Sequence, residues 1–171
     1  MRTTTICLLL TTALALGACG GSGDSENPVP TRAAYIERTD ALCEASNERT
    51  RKLNRELQRA SAAADDEADQ LERFAPILRR GYGAVRDNAV AFRAVQAPPA
   101  DEARIERIRK AYDRQAELAR KLADAAARGD AVRFRSVAAQ QRRLVVSARK
   151  LTRGFGFDEC GSSKSDADAS G

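Results

Sequence analysis

The sequence contains no histidine and no tryptophan, and its single methionine is Met1. Without histidine the chain lacks the commonest general base and the ligand on which most haem, zinc and copper sites depend. A di-iron site built from Glu-x-x-His pairs is excluded for the same reason. The sequence also has no Gly-rich phosphate loop and no Gly-x-Ser-x-Gly nucleophile motif. We therefore expect a non-enzymatic protein that carries no metal or other cofactor.

Long apolar runs are absent as well. The longest, residues 6–16, is interrupted only by threonines and small residues, and it falls well short of the roughly 20 residues that a membrane-spanning helix needs. This run follows the basic residue Arg2 and precedes several small residues, which is the order typical of a secretory signal. We predict a signal peptide at residues 1–18.

A cysteine stands directly after this run, in Leu16-Gly17-Ala18-Cys19. The four residues resemble the lipobox of bacterial lipoproteins. The resemblance implies cleavage after Ala18 and a diacylglyceryl group on the sulfur of Cys19. Two or more acyl chains hold a protein stably on a bilayer, so we expect a lipid anchor on the extracytoplasmic face of the cell membrane. The alternative is an ordinary signal peptide in which Cys19 occurs by chance.

The sequence has few cysteines, four in all. Cys7 would leave with the signal peptide and Cys19 would carry the lipid, so Cys43 and Cys160 remain. Two thiols in an exported protein predict one disulfide between them. The alternative is a redox or metal-binding pair of free thiols, which the absence of any Cys-x-x-Cys motif disfavours.

Composition divides the mature chain into three parts. Residues 20–30 are rich in glycine, serine, proline and acidic residues, so the stretch from Cys19 to Pro30 is predicted to be a flexible linker. Residues 161–171 have a similar composition and predict a disordered polar tail. The block between them, residues 31–160, shows helical periodicity throughout and is long enough for one domain with a core.

Four helices can be delimited within this block. Thr31 fits the N-cap of the first helix, which we expect to run to about Ala60, and Pro98-Pro99 ends the second. Gly129 and Asp130 fit the end of the third helix and the N-cap of the fourth. Four amphipathic helices with short connections predict an all-α fold, an antiparallel up-down four-helix bundle closed by one disulfide.

The two ends of the block share a recognisable pattern. Tyr35-Ile36, Asp40 and Cys43 stand near its beginning, and Phe155-Gly156-Phe157-x-x-Cys160 closes it. This pattern resembles small secreted or lipid-anchored helical proteins of actinobacteria whose function is unknown. The resemblance implies a helical bundle with a Cys43–Cys160 bridge, and it implies no activity.

The chain is basic, with a formal net charge of +5, and the fourth helix is its most one-sided segment. No acidic residue occurs between positions 131 and 153. Four arginines fall within a narrow arc of this helix and form a candidate anion-binding face: Arg135, Arg142, Arg149 and Arg153. Such a row could contact an anionic small molecule or lipid headgroup. Alternatively, the row faces water or acids of neighbouring helices, such as Asp113.

Two functions remain open at this point. The first is a membrane-anchored cell-envelope lipoprotein whose bundle is a non-enzymatic interaction or scaffold module for another envelope protein. The alternative is a binding protein for an anionic small molecule or lipid headgroup, which would use the arginine-rich helix faces. Nucleic acid is not expected as a partner, because the chain is exported and aromatic residues are not interleaved with its basic ones.

Overall fold

A computed structural model describes residues 29–160 and Ser162. The predicted signal peptide, the lipidation site Cys19 and the linker up to residue 28 lie outside the described residues, as does the polar tail apart from Ser162. The predictions for those parts of the chain stay predictions.

The described residues form four long helices and no strand. The helices are α1 (Arg32–Ala62), α2 (Glu67–Ala94), α3 (Glu102–Ala127) and α4 (Ala131–Phe155). A single 3₁₀ turn, Pro99–Asp101, leads into α3. The helices pack as a bundle, so the predicted fold class is confirmed. No helix in the described range is both long and apolar enough to cross a bilayer.

The helix boundaries follow local capping chemistry. Thr31, Asp66 and Asp130 each accept a hydrogen bond from the backbone N–H three residues later, at 2.9–3.2 Å. These bonds satisfy N–H groups that have no partner inside the helix. Gly129 adopts a φ of 65° after the end of α3, a conformation that glycine tolerates better than other residues. The caps predicted at Thr31 and Asp130 are confirmed.

An aromatic cluster occupies one end of the bundle, where α1 and α3 begin and α2 and α4 end. Its fully buried members are Tyr35, Phe92, Ile105, Ile108, Phe155 and Phe157. The rings of Tyr35 and Phe92 meet edge to face with centroids 6.2 Å apart, a favourable arrangement for aromatic pairs. An ion pair between Arg32 and Asp101 borders this end, and its hydrogen bond lowers the pKa of the Asp101 carboxyl.

The helices do not pack equally against one another. α1 packs on α2, α2 on α3 and α3 on α4, but within the described residues no comparable packing joins α1 to α4. In an antiparallel up-down bundle of four helices, the first and fourth helices are expected to lie side by side. They are neighbours across a cleft, and the segment that follows α4 connects them.

That closing segment, Gly156–Cys160, turns back from α4 onto α1. Gly156 has a φ of 113°, and both it and Phe157 donate backbone hydrogen bonds to the carbonyl of Thr152, which completes a glycine-terminated helix end. Phe157 then enters the aromatic cluster, and Cys160 forms the predicted disulfide with Cys43, with Cα atoms 5.0 Å apart.

Candidate functional site

The feature of most functional interest is the cleft between α1 and α4, with a volume of about 290 Å³. All four helices contribute to its walls, so it reaches into the middle of the bundle. The closing segment and the disulfide form its end nearest the aromatic cluster. The polar side chains that line it include Ser46, Asn47, Asn54, Asn88, Tyr112, Gln115 and Gln141. We call this volume the polar compartment.

Most amide side chains of this compartment make no hydrogen bond to the rest of the described chain. Those of Asn54, Asn88 and Gln115 make no hydrogen bond to any other described residue. The Oε1 atom of Gln141 is buried and has no hydrogen-bond partner in the described part of the chain. A buried acceptor left without a donor costs about 1–3 kcal/mol, so a donor from solvent or from a ligand is expected to satisfy it. The compartment therefore offers hydrogen-bonding groups that the fold itself does not use.

Tyr112 supplies a hydroxyl at the disulfide end of the compartment. Its oxygen lies 3.5 Å from Sγ of Cys43, which is already bonded to Cys160 and has no proton to donate. Burial, followed by the charges of Asp40 and Tyr35, raises the pKa of Tyr112 well above its usual value. The hydroxyl therefore stays protonated and neutral, and it can donate a hydrogen bond to a molecule in the cleft.

A second, apolar compartment of about 120 Å³ continues from the first. Five residues line both volumes: Ser46, Thr50, Asn54, Val85 and Gln141. The remaining walls are mostly aliphatic and include Leu53, Leu57, Ile77, Leu78, Ala84 and Leu122. Gln141 thus stands at the junction between a hydrogen-bonding region and an apolar one.

The polar compartment is lined almost entirely by uncharged side chains. Among the described residues of the polar compartment, Arg149 is the only formally charged side chain, and it is half-buried. Asp40 lies close by on α1, but its carboxylate accepts the backbone N–H groups of Asp158, Glu159 and Cys160 and holds the closing segment. The walls formed by described residues contain no carboxylate, so they suit hydrogen bonding better than acid–base chemistry.

The four arginines predicted to form one anion-binding face lie in different surroundings. Arg135 forms an ion pair with Glu67 of α2, while Arg149 lines the polar compartment. Arg142 and Arg153 are exposed, and both Arg149 and Arg153 already interact with other groups of the chain. Asp113 of α3, which the sequence offered as an acid opposite this row, instead pairs with Arg93 of α2.

The cleft itself was not predicted from the sequence, although a signal for it was present. Ser46 and Thr50 interrupt the inward stripe of α1, and Gln141 interrupts that of α4. Polar residues at several inward positions of facing helices indicate a wet interior surface. At the end of α4 the polar Thr152 is buried, whereas the apolar Leu151 is 40% exposed.

The chain was compared with protein families, curated proteins and solved structures. No family model matches it, and no curated protein or solved structure shows significant similarity to it.

Proposed function

We propose that this protein is a membrane-anchored, extracytoplasmic binding protein that holds a small molecule in the cleft between α1 and α4. The observation that carries the proposal is the uncommitted hydrogen-bonding lining, with the buried Oε1 of Gln141 at its centre. Ligand sites are typically concave, with apolar walls and a few convergent polar groups, and the two compartments together have this character.

A binding role accounts for the cleft better than a catalytic one. The walls provide amides, hydroxyls and one guanidinium, all of which orient a ligand without exchanging protons near neutral pH. The two cysteine sulfurs in the described walls of the cleft, those of Cys43 and Cys160, are joined in a disulfide. A general base or nucleophile would need a carboxylate or free thiol within hydrogen-bond reach of the bound molecule, and the described walls offer neither.

Substituting Gln141 with leucine tests the binding role. A library of sugars, polyols, amides and short amphiphiles is screened by thermal shift against the secreted Cys19→Ala chain, which carries no lipid. At least one compound is expected to raise the melting temperature. Gln141→Leu is expected to weaken that compound's affinity 10- to 100-fold, because it removes a buried hydrogen-bonding partner.

Gln58→Leu is the matched control, since Gln58 is an exposed residue of α1 outside both compartments. It is expected to leave the affinity unchanged. If no compound in the library binds, or if the two substitutions weaken binding equally, the cleft is not a ligand site of this kind.

Membrane attachment is proposed to rest first on the lipid at Cys19. α1 begins at Arg32, at the same end of the bundle as the aromatic cluster and the closing segment. A flexible linker of the predicted length spans about 18 Å on average, so that end would stay near the bilayer while the cleft opens to the side. The same lipid anchor would also hold the bundle where another envelope protein can contact it. This is the scaffold role that the sequence left open.

The outward face of α4 is a candidate for a second membrane contact. Arg142, Arg143 and Lys150 are exposed there around Val146, which is 56% exposed, and we call these four residues the basic face. α4 itself carries no acidic residue. Each basic residue near an anionic bilayer contributes about 1 kcal/mol to binding. This face therefore favours anionic headgroups over neutral ones.

Membrane fractionation separates the two contacts. The full chain is expected to incorporate labelled fatty acid and remain with the membrane. The Cys19→Ala chain is expected to incorporate none and to be released into the medium. The released chain is expected to bind phosphatidylglycerol vesicles weakly at low salt. Adding Arg142→Glu and Arg143→Glu should weaken that residual binding at least tenfold, because two attractive charges become repulsive.

The control carries Arg38→Glu and Arg49→Glu, two exposed positions on α1, and has the same net charge as the α4 variant. It should bind vesicles more tightly than the α4 variant does. Equal binding by the two variants would reject the basic face, and membrane retention of Cys19→Ala without labelled lipid would reject the anchor.

A further inference from the structure

We propose that the ligand of the cleft is an uncharged amphiphile, with a hydroxyl- or amide-rich head in the polar compartment and one short linear apolar chain in the apolar compartment. This inference rests on the proposed binding function and adds the chemical class of the ligand. It follows from three observations: the two compartments are continuous, their walls differ in polarity, and the polar walls are almost without charge.

The continuity of the two volumes predicts a single ligand that bridges them. The five residues lining both compartments lie on α1, α2 and α4, so the passage between the compartments is framed by three helices. The unpaired Oε1 of Gln141 stands at this passage and accepts hydrogen bonds. A ligand that places a hydroxyl or N–H group at the base of its chain would satisfy this acceptor while the chain enters the apolar compartment.

The polar compartment has almost no charged side chains in its walls, which predicts that the head group of the ligand is uncharged. A cationic head would meet the Arg149 guanidinium and no carboxylate in the described walls, and taking an unpaired charge out of water is strongly unfavourable. An anionic head would have Arg149 as its sole charged partner, and that side chain already interacts elsewhere in the chain. The amides of Asn54, Asn88 and Gln115 both donate and accept, which matches hydroxyl and amide groups.

The size of the apolar compartment predicts a short chain. Its volume of about 120 Å³ is less than half that of the polar compartment. The walls from Leu53, Leu57, Ile77 and Leu122 come from three helices and surround a narrow space. Each methylene that enters this space is expected to tighten binding about fourfold, and the gain should stop once the space is filled.

A series of n-alkyl β-D-glucosides, from ethyl to octyl, tests the inference on the secreted Cys19→Ala chain below micelle-forming concentrations. The dissociation constant is expected to fall about fourfold per methylene and then level off within the series. Ala84→Leu, which narrows only the apolar compartment, is expected to move the levelling-off point to a shorter chain and to weaken octyl glucoside binding. Ala94→Leu, at an exposed position of the same helix, should change neither.

The outcomes separate this inference from the proposed function. If library compounds bind and respond to Gln141→Leu but the glucosides show no dependence on chain length, the binding function stands and the amphiphile is rejected. If hexyl phosphate or hexylammonium binds more tightly than hexyl glucoside, the uncharged head is rejected. If nothing binds, both proposals fail together. Equal effects of Ala84→Leu and Ala94→Leu would also overturn the assignment of the chain to the apolar compartment.

Discussion

Replacing Cys43 and Cys160 together with alanine is expected to lower the free energy of unfolding by about 4 kcal/mol. The disulfide joins residues 117 apart in the sequence, and closing a loop of that length removes much conformational entropy from the unfolded chain. The loss would be a large fraction of the 5–15 kcal/mol that typically stabilises a domain. Urea unfolding of the double variant and of the wild type, followed by circular dichroism, measures the difference.

Loss of this disulfide is expected to loosen the closing segment locally as well as to lower the global stability. α1 and α4 do not pack closely along their length, so the closing segment is the main link between them across the cleft. In the double variant we expect faster amide hydrogen exchange at residues 157–160 and weaker ligand binding, because the end wall of the cleft loosens. Exchange at the centre of α3 should follow only the global change in stability.

Chemical reduction provides the control. A reducing agent should destabilise the wild type by about the same amount as the double substitution and leave the double variant unchanged. A difference below about 1 kcal/mol between wild type and double variant would contradict the prediction. It would mean that the noncovalent contacts of the closing segment are sufficient to hold α1 against α4.

Much of this architecture could be predicted because the responsible signals are local. Thr31 and Asp130 begin their helices through side-chain hydrogen bonds to backbone three residues away, and a sequence displays such spacing directly. The pairing of Cys43 with Cys160 followed from there being only two cysteines left to pair. Phe157 lies between α4 and Cys160, and its burial explains why the chain returns to α1.

The width of the cleft could not be predicted, because it depends on the separation of two helices that are far apart in sequence. The inward stripes of α1 and α4 specify which faces turn toward each other, but not how closely they approach. That separation is set by how α2 and α3 pack beneath them and by where the closing segment docks. Ser46 and Thr50 of α1 and Gln141 of α4 occupy inward positions of their helices, and they line the compartments instead of closing the seam between the two helices.

The arginine row illustrates the same limit in electrostatics. Periodicity placed Arg135, Arg142 and Arg149 on one arc of α4, but an arc does not reveal what lies opposite it. Glu67, contributed by the start of α2, pairs with Arg135, whereas Arg149 points to the cleft. Whether a charged row is free or paired is thus a property of tertiary packing, and single-sequence reasoning has no access to it.

Asp40, an acidic residue of α1, holds the closing segment in place. The Asp40 carboxylate accepts hydrogen bonds from the backbone N–H groups of three consecutive residues of the closing segment. Its two oxygens lie 3.0 Å from the nitrogens of Asp158, Glu159 and Cys160. Hydrogen bonds to an ionised acceptor are stronger than neutral ones. One carboxylate therefore orders the whole turn that precedes the disulfide.

Asp40→Ala is expected to lower the free energy of unfolding by about 3 kcal/mol, because it leaves three N–H groups of the closing segment without their acceptor. Asp40→Asn should cost less, about 2 kcal/mol, since the amide oxygen still accepts while its NH₂ group faces a donor. Glu44→Gln, an exposed carboxylate one turn further along α1, is the matched control and should change stability by less than about 0.5 kcal/mol. Urea unfolding at neutral pH compares all three, and similar losses for Asp40→Asn and Glu44→Gln would contradict the role of Asp40.

Asp40 and the disulfide act on the same segment, so their contributions should be coupled. The covalent link keeps residues 158–160 beside α1, and the hydrogen bonds to Asp40 then form at little further cost in chain entropy. Without the link, those bonds must also order the segment, so Asp40→Ala should cost only about 1–2 kcal/mol in the background lacking both cysteines. A double-mutant cycle is therefore expected to show a coupling energy of about 1–2 kcal/mol. Additivity within about 0.5 kcal/mol would instead mean that the closing segment stays docked without its disulfide, and that the width of the cleft is set by noncovalent contacts alone.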